Sequence, residues 1–310
     1  MNRAKYDSVA ITAAVTGGDV LPSQSPAIPC TVKDVVAQSV AAAAAGASVI
    51  HLHAREDDGR PSADPQRFRD IVAGIREQVD AVISISTGGS PSMTPEERLA
   101  GVIATDPELA TFNLGTMNYE GFPNPSRWPK VRYDWEREVL EQSGTVVLRN
   151  TLAMLRDFAA VLRDQGVTPE LEAYDMSHLG MARYLVDEGV LEAPVRVQFV
   201  LGVLGGAGND LEDLFQLNAT AQRVLGDALG VVGVAATGYP MQLRHAALAA
   251  GLGLDVRVGL EDSLRVRRDA QAASNRELVE VAAQLIELQG RGIQTPAEVR
   301  AGLGSWWSAP

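Results

Sequence analysis

One cysteine, Cys30, stands among 310 residues. An intrachain disulfide is therefore impossible, a multi-cysteine zinc or iron–sulfur site is excluded, and a reducing cytoplasm is the expected compartment. Long apolar runs are also missing. The nearest candidate, the alanine-rich stretch 35–45, falls well short of the roughly 20 residues a membrane span requires and reads as a helix packed closely on a sheet. Residues 1–7 are polar and lead straight into a strand-like run, without the apolar stretch of a secretory signal. Positive charge is scarce as well: 27 Lys and Arg against 39 Asp and Glu leave a net charge of −12. Such a field repels phosphate backbones and anionic lipid, so neither nucleic acid nor a membrane surface is an expected partner.

Several nucleotide and hydrolase signatures are absent too. No phosphate-loop Gly-Lys-Ser/Thr occurs, Gly205-Gly206-Ala207-Gly208 lacks the dinucleotide spacing, and no Gly-x-Ser-x-Gly elbow is present. What remains, 46% hydrophobic and 21% charged residues, is an ordinary globular composition that rules out disorder, collagen and coiled coil as the main architecture.

Short β-branched runs at 9–15, 48–53, 82–86, 109–114, 170–174, 195–201, 231–237 and 255–259 alternate with stretches of helical period at 32–45, 64–79, 94–103, 150–165, 177–188, 210–229 and 241–250. This order predicts βα units around a parallel sheet. With no linker-like composition break, residues 1–310 read as one (β/α)₈ TIM barrel with short terminal extensions; a doubly wound open sheet is the alternative, and only closure separates the two. The Gly-, Thr- and Asn-rich connections 16–19, 87–90, 115–118, 205–209 and 237–239 would then gather at the C-terminal face, where barrel enzymes keep their chemistry. The tail, residues 293–310 with Trp306 and Trp307, is expected to pack on the barrel or on a neighbouring subunit.

Residues two apart on a strand share a face, so His51 and His53 project together into the barrel at the end of strand two. Two imidazoles make a metal clamp that a third ligand completes. The alternative is one packed core histidine and one solvent-facing one. The segment Arg257-Val258-Gly259-Leu260-Glu261-Asp262 ends strand eight, which closure brings to strand one and so near strand two. Glu261 could then join the histidines, Asp262 could act as a base, and Arg257 could bind an anion or orient that base. Acids opening a helix are the plainer explanation of Glu-Asp. On strand five, Glu170, Glu172 and Asp175 place carboxylates where they need a cation, whether a substrate's or a barrel arginine's. Asp19, in the first loop, adds a charge that solvation alone would also explain. His178 and His245 fall in helical segments and read as packing or surface residues, and Cys30 has no context of a nucleophile.

The combination of residues 11–18, His51-Leu52-His53-Ala54-Arg55, Ser86-Thr87-Gly88-Gly89, residues 113–118, Pro169-Glu170-Leu171-Glu172 and residues 257–262 resembles the β-keto acid cleavage enzyme family, in the same order over nearly the whole chain. The resemblance implies a zinc-bearing (β/α)₈ barrel with one ion per chain, a homo-oligomer with a tetramer favoured, and acetyl-CoA as co-substrate. It also implies a reaction in which a β-keto acid and acetyl-CoA give acetoacetate and a new acyl-CoA. By motif, His51, His53 and Glu261 fall on the zinc ligands, Arg257 and Asp262 on the catalytic pair, and Thr87 and Thr111 on hydroxyl positions that contact substrate. Where a member acting on an amino-bearing substrate uses two acids, this chain offers Asp19 and Glu172, which suggests a cationic tail as in 5-amino-3-oxohexanoate or dehydrocarnitine. Asp19 is shorter than the family's glutamate, and Thr87 replaces a serine.

The implied chemistry suits these residue types. Asp262 takes the C2 proton, the carbanion attacks the acetyl thioester, the released CoA thiolate attacks the C3 ketone, and cleavage between C2 and C3 expels acetoacetate. Arg55, Arg60 and Arg127 are candidate contacts for the phosphates of CoA. A metal-dependent barrel hydrolase or class II aldolase is the competing enzyme reading, and a metal-free binding barrel the non-enzyme one.

Overall fold

A computed structural model describes residues 7–90, 92–304 and 306. Eight parallel strands close into a barrel: β1 (Ile11–Ala14), β2 (Val49–Leu52), β3 (Val82–Ile85), β4 (Leu109–Asn113), β5 (Thr168–Ala173), β6 (Val195–Leu201), β7 (Leu229–Ala236) and β8 (Asp255–Val258). Arg257 of β8 pairs with Thr12 of β1, and that contact rules out the open sheet. Around the barrel run α1 (Val32–Ala44), α2 (Pro65–Arg76), α3 (Pro95–Thr105), α4 (Asp134–Gln142), α5 (Leu152–Asp164), α6 (Met176–Asp187), α7 (Leu211–Leu225), α8 (Met241–Leu252), α9 (Asn275–Leu288) and α10 (Pro296–Ala301). No described helix is long and apolar enough to cross a membrane.

Local chemistry sets these boundaries. Helix α3 starts where Thr94 accepts from the Glu97 amide, Glu97 accepts from the Thr94 amide, and Pro95 supplies a helical φ at a position needing no donor. Strands β5 and β7 begin two residues earlier than their β-branched runs, because pairing with the neighbouring strand extends them at Thr168 and Leu229. Helix α4 and the small hairpin of Met117–Asn118 with Val147–Leu148 form an excursion between β4 and α5 that strand counting passes over.

Alternation fills the barrel in layers. At the bottom Ala10, Val49, Val82 and Leu109 form an apolar floor with Val299 and Leu303, and the Thr168 hydroxyl donates to the Leu303 carbonyl at 3.0 Å. The described tail therefore plugs the barrel's lower end. Arg300 fastens it through Glu108 at 3.0 Å and Asp80 at 2.8 Å, and the Arg163 guanidinium lies 5.0 Å over the Trp306 ring. Ser305 and Trp307 lie outside the described residues. Above the floor, Arg196 joins Glu170 and Asp255, each at 2.8 Å, so the buried charge of Glu170 has a barrel arginine for its partner. The catalytic-face layer lies above this one.

Candidate active site

The ends of β1, β2 and β8 meet at Glu261. The Glu261 amide donates to Ala14 at 3.2 Å, which brings the end of β8 against the end of β1. Two glycines allow the approach: a Cβ on Gly259 would lie 2.0 Å from the Ala14 carbonyl, and one on Gly17, at φ +67°, would lie 2.6 Å from Glu261 Cγ. Two buried amides lock the turn. Asn275 accepts from the Leu260 amide at 2.9 Å and donates to the Val15 carbonyl at 3.0 Å, while Gln242 donates to the Gly259 carbonyl at 3.0 Å.

Against this carboxylate stand both histidines of strand two. His51 Nε2 is 3.7 Å from Glu261 Oε2, and His53 Nε2 is 3.4 Å from Oε1. One ligand atom from each of the three side chains lies within 4.8 Å of the others. Burial holds the His51 pKa well below the usual imidazole value, so it presents the neutral ring that a metal ligand requires. Its Nδ1 sits 3.2 Å from the Ser84 hydroxyl, which leaves Nε2 directed at the cluster. Burial alone would raise the Glu261 pKa, yet Arg257, His53 and His51 keep it well below the usual range. Its Oε2 is buried without a hydrogen-bond donor. Two imidazole nitrogens, one ionised carboxylate and an unpartnered oxygen fit a divalent ion with an open position for substrate.

Arg257 organises the opposite wall. Its Nε and Nη2 each donate to Asp262 at 3.0 Å, its Nη2 donates to Glu261 at 2.7 Å, and its Nη1 lies 3.5 Å from Glu172. Burial outweighs this pairing and raises the Asp262 pKa above the usual aspartate value, giving a carboxylate more basic than one in water and fixed in orientation.

Glu172 accepts from Asn113, from the Tyr174 hydroxyl at 3.2 Å and from Gln198 at 3.3 Å. Burial pushes its pKa up to about 7, against the pull of Arg257. Asp19, also raised by burial, accepts from the Tyr119 hydroxyl. These side chains, with the two histidines and Glu261, face one cavity of about 120 Å³.

The rise at Glu172 has a measurable consequence. A carboxyl that titrates near 7 when folded and near 4.5 when unfolded holds more protons in the native state between those values, so stability falls as pH rises through that window. Glu172→Gln removes the titration. Without metal, the variant is expected to lose this slope and to gain up to about 3 kcal/mol over wild type at pH 8, read by urea unfolding across pH 4.5–8.

Other expected residues lie elsewhere. Thr87 and Thr111 bond to one another: the Thr87 hydroxyl donates to the Thr111 carbonyl at 2.6 Å, and the Thr111 hydroxyl accepts from the Thr87 amide at 3.1 Å. Both satisfy strand-end backbone groups, and Ser86 and Asn113 line the cavity there. Asp175 caps α6 through the Ser177 amide at 2.8 Å. Arg55 is buried, donating to the carbonyls of Gly59, Thr16, Gly17 and Val20 at 2.5–3.1 Å. It latches the Asp19 loop and has no free face for a phosphate, whereas Arg60 and Arg127 are exposed. His178 Nδ1 accepts from the Tyr174 amide at 3.1 Å, and His245 Nε2 lies 3.1 Å from the Asn209 carbonyl; both are packing residues.

Residues that sequence reasoning missed include Tyr119, Asn275 and Gln242. Tyr174 and Asn113 carried a signal, since alternation sets Tyr174 on the face of Glu172, and Asn113 ends β4 beside it. The other three left none, because their roles depend on which loops meet.

Comparison with known proteins places this site in context. The family described as beta-keto acid cleavage enzyme matches residues 8–304. A Paraburkholderia graminis protein named 3,5-dioxohexanoate:acetyl-CoA acetone transferase is 40% identical over 94% of this chain and 94% of its own. An Acetoanaerobium sticklandii 3-keto-5-aminohexanoate cleavage enzyme is 36% identical over 96% of this chain and 98% of its own. Among solved structures, apo ObcA superposes with a TM-score of 0.68 at 20% identity, over 90% of this chain and 66% of that longer one, and so shares the fold. With a family match across nearly its whole length and relatives at this identity, the chain belongs to the beta-keto acid cleavage enzymes.

Proposed function

We propose that this chain exchanges acyl groups between a β-keto acid and acetyl-CoA, releasing acetoacetate and a new acyl-CoA, with one zinc ion held by His51, His53 and Glu261. The observation that carries the reading is the unpartnered Glu261 oxygen beside two imidazoles, with the Arg257–Asp262 pair adjoining. When bound, a divalent ion supplies an electrophile that lowers the energy of negative charge on the substrate's keto oxygen. The protein does the rest. Asp262 accepts the C2 proton, and Arg257 holds its carboxylate in place while fixing Glu261 from the other side. Ser86 and Asn113 offer hydrogen bonds at the cavity wall. We assign the assembly as a cytoplasmic homo-oligomer, a tetramer by resemblance.

For the substrate's tail the charge balance argues for a cation. Of the four carboxylates that face the cavity, Glu261 would be taken by the ion and Asp262 is paired with Arg257, which leaves Asp19 and Glu172 for the tail. Asp19 and Glu172 have raised pKa values that a substrate ammonium would bring back down. A 5-amino-3-oxo acid or a trimethylammonium analogue such as dehydrocarnitine meets this demand.

The test is a panel of β-keto acids assayed for acetoacetate with and without acetyl-CoA. Turnover is expected only with acetyl-CoA, cationic acids are expected to lead neutral ones, and Glu172→Gln is expected to reduce that preference by about tenfold. Acetoacetate formed equally without acetyl-CoA would replace the reading with a hydrolase. A 3,5-dioxo acid cleaved at least as well as the amino acid, with Glu172→Gln indifferent, would replace the cationic tail with a neutral one.

A further inference from the structure

A second, much larger cavity of about 1260 Å³ lies outside the first, and Gly18, Asp19 and Tyr119 line both. These three residues are the partition between them. Gly18 has no side chain, so the wall is the Asp19 carboxylate with the Tyr119 ring bonded to it. The backbone that carries the ring is held from several sides. Its own amide donates to Val146 at 3.1 Å, the next amide, of Glu120, donates to Leu204 at 3.3 Å, and the preceding Met117–Asn118 pair with Val147–Leu148. A Cβ placed on Gly121 would sit 3.9 Å from both Asp19 Cβ and Tyr119 Cε1, so the chain folds back behind the pair.

The chemistry of the outer groove says which substrate end it suits. Its lining carries six carboxylates, Asp19 and Glu138 among them, against one guanidinium, Arg60. Phosphates are repelled by such a wall, so the groove does not suit the nucleotide end of acetyl-CoA. Leu21, Phe122, Trp135, Val139, Val146 and Val147 add apolar surface. Acidic and apolar together, the groove suits the far end of an alkyl or cationic tail.

Resting on the acyl-exchange reading above, we infer that Tyr119, bonded to Asp19, is the stop that sets substrate length. It ends the catalytic cavity a few carbons beyond the keto group and confines the enzyme to short β-keto acids, and without its ring the tail runs on into the outer groove. Tyr119 is thus a specificity determinant that acts on the tail of the substrate, remote from the reacting carbons.

The experiment compares 3-oxohexanoate with 3-oxodecanoate on wild type, Tyr119→Ala, Tyr119→Val and Tyr119→Phe, by kcat/KM with acetyl-CoA. In parallel, calorimetry measures binding of the same two acids to each protein as purified, without acetyl-CoA. Both truncations are expected to raise the ratio of long to short acid by at least about tenfold, in turnover and in binding, since the wild-type pocket rejects several methylenes. Tyr119→Phe keeps the ring and is expected to keep the wild-type ratio. Two truncated proteins whose ratios stay within twofold of wild type would overturn the stop. Binding that discriminates by length without acetoacetate formation would uphold the stop and overturn acyl exchange. Failure of wild type to bind either acid would overturn both.

Discussion

Replacing Glu261 by alanine is expected to strip the metal from the purified protein and to lower kcat/KM for any β-keto acid by at least about 10³-fold. The magnitude follows from the several kcal/mol that an electrophilic metal contributes to developing negative charge, at about 1.4 kcal/mol per factor of ten. Glu261 is the only carboxylate among the three candidate ligands, and its loss leaves two imidazoles, one of them fully buried. His51→Ala and His53→Ala are expected to act in the same direction. Elemental analysis of the variants alongside wild type is the check: a Glu261→Ala protein that keeps a stoichiometric ion and its activity would remove the ligand set. Protein that is folded, metal-free as wild type and fully active would remove the metal itself.

Asp262→Asn is expected to separate proton transfer from metal binding. The amide keeps the shape of the side chain but cannot accept a proton at the required basicity, so kcat should fall by about 10²–10⁴-fold while metal content is retained. The case for Asp262 over its neighbours is geometric. Glu261 is turned towards the histidines, and Glu172 is occupied by Asn113, Tyr174 and Gln198. Asp262 is held side-on by Nε and Nη2 of one guanidinium, and its pKa is raised by burial. Activity within tenfold of wild type in Asp262→Asn would move the base to Glu172 or Asp19, the other carboxylates with raised basicity facing the cavity.

The order of strands and helices was readable from the sequence because eight β-branched runs alternate with seven stretches of helical period without a break. His51 and His53 could be placed on one face because a strand repeats every two residues. Glu261 could be brought to them only on the supposition that strand eight returns to strand one, a fact of closure. Thr87 and Thr111 bond to one another through hydroxyl and backbone groups, a pairing that depends on how the ends of β3 and β4 meet and that motif matching does not show. Arg55 shows the same for charge. Its motif neighbour His53 reaches the cavity, while its own guanidinium is drawn under the first loop by four carbonyls. Tyr119 lies in an excursion whose Pro- and Gly-containing turns do not announce where it folds back, and helix α4, which buries Trp135 and Leu140, falls outside the alternation of strand and crossover helix.

Arg257 carries a consequence for how such an enzyme can change. One guanidinium contacts Asp262, Glu261 and Glu172 at once, so an alteration there would disturb three carboxylates in a single step, and a lysine, with one point of charge in place of a fork, would hold at most part of the set. Asp19 and Tyr119, in the rim loops, are bonded to each other and not to this guanidinium, so a substitution there would leave the three-carboxylate fork in place.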